Sequence, residues 1–143
     1  MPHTDTIPVS ASIASTGLGI RYIGEHCYAY SGKYAANVTR QTMLNFSSGS
    51  GYIVGELQLN ACQDDDDADK GSPTIAEIFF NGIAVSLIKA EAASGSVTDM
   101  PSSQTQKLLV PPLTTVLVEM EADDNQADEH ATITFIGRVY GAE

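Results

Sequence analysis

The dipeptide Asn81-Gly82, set between the β-rich runs 75–80 and 83–88, constrains this chain more than any other pair of residues. Two residues between such runs predict a type I′ hairpin. Both turn positions then need positive φ, which Gly reaches without penalty and Asn more readily than most. A hairpin commits its neighbours to antiparallel pairing, and the rest of the chain reads the same way.

Strand-like runs fall at 20–30, 33–38, 42–46, 52–59, 114–120 and 131–140, with a shorter one at 108–110 stopped by Pro111-Pro112. Ser31-Gly32 and residues 47–51 are turn signals between them. Alternation assigns faces. Ile53, Gly55, Leu57 and Leu59 point to a core, with Tyr52, Val54, Glu56 and Gln58 opposite. Val116, Val118 and Met120 share one face, and Ile133, Phe135 and Val139 another, with Arg138 outward. Tyr22, Tyr28 and Tyr30 are expected to pack their rings in the sheet. Residues 60–72, 90–105 and 122–129 read as connections, and a short helix over 87–93 is an alternative to strand there. The pattern predicts an all-β protein, a jelly-roll-like antiparallel β-sandwich of seven to nine short strands. An N-terminal arm, residues 1–19, precedes a single domain over residues 20–143. An immunoglobulin-like sandwich has a similar strand count.

The length of 143 residues suits one domain. Eighteen acidic against seven basic residues leave a formal charge of −11. That balance argues against a nucleic-acid partner, whose phosphates require clustered Lys and Arg. No apolar stretch approaches the roughly 20 residues of a membrane-spanning helix, and residues 1–12 carry no signal-peptide pattern. Cys27 and Cys62 lack metal-ligand spacing and sit in apolar β segments. Two buried free thiols are expected, with a disulfide between adjacent strands as the alternative.

Nothing in the chain assembles a catalytic motif, and the protein is expected not to be an enzyme. His3, His26 and His130 are scattered. His26 and Cys27 are adjacent, so a strand points them to opposite faces. Carboxylates are plentiful, but a glycosidase also needs one raised pKa and a groove for the sugar. The acidic loop is the other candidate site. Asp64, Asp65, Asp66, Asp67 and Asp69 repel one another, and calcium would offset that repulsion through oxygen ligation. The run lacks the alternating ligands, central glycine and terminal glutamate of an EF-hand. A solvated loop or contact with a basic surface are the other readings, and Lys70 is a local counter-charge.

The hairpin at Phe79-Phe80-Asn81-Gly82, the step Leu108-Leu109-Val110-Pro111-Pro112 before Thr114-Thr115-Val116, and the closing run 131–141 carry a family resemblance. Together they resemble small β-sandwich virion proteins of tailed bacteriophages, especially capsid decoration or cement proteins. The resemblance implies a structural protein on the outer surface of the virion. Its partner would be the major capsid protein, and it would be a homo-oligomer such as a trimer. An arm that orders on a neighbour would use Val9, Ile13, Leu18 and Ile20 as anchors. The alternative is a tail or fibre β-domain that binds a host receptor or carbohydrate.

Overall fold

The computed structural model describes residues 19–36, 38–63, 74–90, 102–122 and 126–141. Within them the chain forms ten strands: β1 (Arg21–Ile23), β2 (His26–Tyr30), β3 (Tyr34–Ala36), β4 (Gln41–Ser47), β5 (Tyr52–Gln63), β6 (Thr74–Phe80), β7 (Ile83–Ala90), β8 (Ser102–Val110), β9 (Thr115–Ala122) and β10 (Gln126–Tyr140). Eight have five residues or more, and β1 and β3 have three each. Two antiparallel sheets result, as the jelly-roll-like sandwich requires. One has the order β1-β2-β10-β5-β8, with β3 also on β10; the other has the order β4-β9-β6-β7.

The turn at 81–82 is as expected, with Asn81 at φ 51° and Gly82 at φ 86°. Asn81 also pins the hairpin to β9. Its backbone N–H donates to the Thr115 carbonyl, and its side-chain oxygen accepts from the Thr115 N–H at 2.8 Å. Residues 20–30 fold as a second two-residue hairpin rather than one strand. Ile23 pairs with His26, and Gly24 takes φ 61° at the position where a type II′ turn calls for glycine.

Several boundaries differ from the expected ones. β5 continues to Gln63, β8 begins at Ser102 and β10 begins at Gln126, so each reading of these segments as loop gives way in part to strand. The 87–93 helix does not form over its described part: β7 runs to Ala90, with Leu87 and Lys89 in register with Glu77 and Ile75 of β6. The pairing available on β6 outweighs the weak local helix preference. Among the described residues no helix is long and apolar enough to cross a membrane.

Between the sheets lie Ile53, Leu57, Leu59, Ile133 and Phe135 from one layer and Leu44, Ile78, Val116, Val118 and Met120 from the other, all fully buried. Each such side chain contributes about 1.5–3 kcal/mol by leaving water. The Phe46 and Phe135 rings meet across the layers at 5.3 Å.

Gly55 and Gly137 face each other in the β5–β10 ladder. A Cβ on Gly55 would lie 2.6 Å from Cζ of Phe135 and 2.7 Å from the Ile136 carbonyl oxygen. The missing side chain is what lets the Phe135 ring lie against the sheet. We expect Gly55→Ala to lower stability by about 1–3 kcal/mol. Part should return when Phe135→Leu is added, read as non-additive shifts of the urea unfolding midpoint.

Candidate functional site

Alternation and register place a definite set of side chains on the outer face of the six-stranded sheet. Rows run across the strands at right angles to them. One row is Ile23, His26, Arg138, Val54 and Leu109; the next is Arg21, Tyr28, Ile136, Glu56 and Lys107. Tyr30, Thr134, Gln58 and Thr105 form a third, and Tyr52 faces Tyr140 at one end.

This face is rich in apolar and aromatic groups open to solvent. Leu109 is 60% exposed, Ile136 55%, Tyr30 50% and Val54 46%, with Tyr52 and Tyr140 near 40%. The Tyr52 and Tyr140 rings stack at 5.3 Å, and those of Tyr28 and Tyr30 lie tilted at 5.2 Å. The Arg138 guanidinium lies 5.9 Å from the Tyr140 ring centre and pairs with Glu25. Arg138 thereby neutralises the acid of Glu25 on the turn between β1 and β2. At the β1–β2 edge a cavity of about 150 Å³ is lined by Gly19, Arg21, Tyr28, Ala29 and Tyr30.

The outer face of the four-stranded sheet is organised differently. Glu77 and Glu119 sit directly opposite each other on β6 and β9, and Glu121 is the next outward residue along β9. Arg40 reaches all three, at 2.8 Å from Glu77, 3.2 Å from Glu119 and 2.7 Å from Glu121. Hydrogen bonds donated to Glu121, then to Glu77, hold its guanidinium firmly protonated. Arg40 therefore relieves a cross-strand repulsion. In Arg40→Gln we expect a loss of about 1 kcal/mol or less at low salt, shrinking as salt screens the glutamates, measured by denaturant unfolding at several ionic strengths.

Cys27 is fully buried and free, and burial, opposed by a backbone hydrogen bond from Gly137, pushes its thiol up from 9.0 to about 12. A bond to Cys62 is excluded by register. Cys27 pairs with Gly137 and Cys62 with His130, on opposite sides of β10 and seven residues apart along it. That is roughly 24 Å, far beyond the about 7 Å limit between bridged Cα atoms. The side chain of Cys62 lies outside the described set. Tyr22 is likewise raised, from 10.0 to about 12, by burial and then by Cys27. Unfolding frees the thiol to ionise from about pH 9, while the folded chain keeps its proton until about 12. The stabilisation is thus whole below pH 9 and lost as pH rises toward 12. We expect native Cys27 to resist a thiol reagent at pH 8 and react on denaturation, and the unfolding midpoint to fall above pH 9.

Of the sequence-derived site residues, Ile20 is in the domain's own core, 4% exposed. Val9, Ile13 and Leu18 lie outside the described residues, as do Asp64, Asp65, Asp66, Asp67 and Asp69. The strands flanking residues 64–73, 91–101 and 123–125 all stop at one end of the sandwich. These three connections hold nine of the eighteen acidic residues. At the opposite end the turns carry Leu113 and Ile83, 76% and 69% exposed. Leu113 takes φ 57° there, a left-handed conformation unusual for leucine. Among the described residues no group of three or more His, Cys, Asp or Glu side chains is placed to hold a metal ion.

No family model and no curated protein sequence matches the chain. Several solved structures resemble it at low identity and with TM-scores below 0.5. Dimeric latent PorU from Porphyromonas gingivalis is 12% identical with a TM-score of 0.49, over 88% of this chain and 13% of that one. Infectious bursal disease virus, Gx strain, is 13% identical with a TM-score of 0.49, over 82% of this chain and 33% of that one. A pilus protein of Bacillus endospore appendages is 13% identical with a TM-score of 0.43, over 81% of this chain and 88% of that one. The chain spans well under half of the first two. The sheet topology makes the chain an all-β sandwich, and likenesses at these scores say nothing of what it does.

Proposed function

We propose that this chain is a non-catalytic binding domain of a tail or fibre, which holds a host receptor or its carbohydrate on the outer face of the six-stranded sheet. One observation carries the reading: four tyrosines, two arginines and the aliphatic side chains of Val54, Leu109 and Ile136 share that face. Tyrosine and arginine are the residues binding surfaces favour, because each offers a large stiff contact area with a polar end. Exposed rings accept the C–H face of a sugar, and Gln58, Thr134 and Ser103 offer hydrogen bonds beside them. Gln58 already donates to Ser103 at 2.9 Å. The test is binding to a glycan panel and to bacterial envelope preparations. Tyr28→Ala and Tyr52→Ala should each weaken binding about tenfold, whereas Leu87→Ser on the other sheet should leave it unchanged. Binding lost through Leu87→Ser alone, or no binding to either preparation, would overturn the assignment.

A second reading is decoration of a phage capsid, with the major capsid protein as partner and the domain as a homo-oligomer. The contrast between the two ends favours it. A domain standing on a shell would cover Leu113 and Ile83 and turn its acid-rich connections outward. Electron cryomicroscopy of virions distinguishes the readings: density on the head lattice supports decoration, and density confined to the tail or its fibres supports receptor binding.

A further inference from the structure

Resting on the receptor-binding reading, we infer that the cavity at the β1–β2 edge takes a carboxylated sugar, the carboxylate on Arg21 and the ring face on Tyr28 and Tyr30. The cavity has a simple origin. Arg21 pairs with Tyr28, so the same register carried two residues back sets Gly19 beside Tyr30. Gly19 brings no side chain, and a gap opens that is lined by Gly19, Arg21, Tyr28, Ala29 and Tyr30. The alternate residues Ile20 and Ala29 turn inward and are buried, which fixes the outward direction of the three side chains that frame the gap.

Charge selects the ligand. The chain has three arginines. Arg40 is held by three glutamates and Arg138 by Glu25. Arg21, exposed on the edge strand, has no carboxylate partner among the described residues. In a chain of net charge −11, an arginine with no carboxylate partner among the described residues, beside two aromatic rings, is the local exception. Among the described residues no carboxylate lines the cavity. A guanidinium matches a carboxylate through two parallel hydrogen bonds, stronger than those it makes to neutral oxygen. The volume, about 150 Å³, is below the roughly 300–1,000 Å³ of sites that enclose drug-sized molecules. It suits one terminal ring of a larger glycan, with the rest of the chain running onto the open face toward Ile136.

The experiment is a nuclear magnetic resonance titration of the full chain with methyl glucuronide and, separately, methyl glucoside. Shifts at the Arg21 side-chain N–H and the Tyr28 and Tyr30 rings are followed. Methyl glucuronide should bind, and methyl glucoside about tenfold more weakly. Arg21→Gln should erase that preference, and Gly19→Val should block both by filling the gap. Both substitutions lie on the exposed edge, and retention of the wild-type amide spectrum verifies folding. Equal binding of the two sugars, or a preference that survives Arg21→Gln, overturns the carboxylate assignment. So does the absence of any shift at Tyr28 and Tyr30. In each of those cases the receptor-binding reading stands if glycans from the panel still shift Tyr52 and Tyr140, and falls if none does.

Discussion

Strand β10 is the constraint on which the larger sheet depends. On one side it pairs with β5 over twelve consecutive residues, Glu129 to Tyr140. On the other it carries β2 and β3 end to end. Its inward residues Ala131, Ile133, Phe135 and Val139 are buried. Without it, β1–β2, β3 and the β5–β8 pair would be separate fragments with open hydrogen-bonding edges, each too small to persist in water. The two facing glycines belong to the same constraint: Gly55 makes room for Phe135, the largest fully buried side chain among the described residues, and Gly137 makes room for Ile53 and the Val54 backbone.

The fold class was legible because alternation survives on strands that are buried on one face only. Val116, Val118 and Met120, or Ile53, Leu57 and Leu59, declare their side without any knowledge of the partner strand. The Asn81-Gly82 turn was legible for a different reason, since its backbone geometry is written into the residue types. What was not legible were strands sustained by neighbours. Residues 102–105 are Ser, Ser, Gln and Thr, with no apolar pattern, yet β5 supplies their hydrogen bonds. The β1–β2 hairpin hid inside an aromatic run, 20–30, that read as a single strand. The outer face shows the same division. Sequence indicates that Tyr52 and Arg138 point away from a core, but it takes the strand order to set Tyr28 and Tyr30 on the same open face, with β2, β10, β5 and β8 side by side.

The two outer faces of the sandwich solve opposite problems. On the four-stranded sheet, three carboxylates gather around one arginine, and that charge is spent within the molecule. On the six-stranded sheet, rings and aliphatic groups face water, and one arginine has no carboxylate partner among the described residues. A surface of that kind has a cost in solubility, which the large negative charge of the chain offsets by keeping copies apart. Selection for folding alone does not explain retaining it.

The Asn81-Gly82 turn has a consequence for how the protein ages. Asparagine followed by glycine is the dipeptide most prone to lose its side-chain amide, because the small neighbour lets the next backbone nitrogen attack the carboxamide and close a succinimide ring. In the folded chain that carboxamide is engaged by the Thr115 N–H, and the turn fixes the backbone on both sides of it. The residue pair that directs the hairpin is thereby shielded by the hairpin. Each period spent unfolded removes the shield. Reopening of the ring leaves aspartate or isoaspartate at position 81, with a new negative charge and, in the second case, a lengthened backbone that no longer fits the turn. Residue 81 is thus expected to keep a chemical record of how long the chain has been out of its native state.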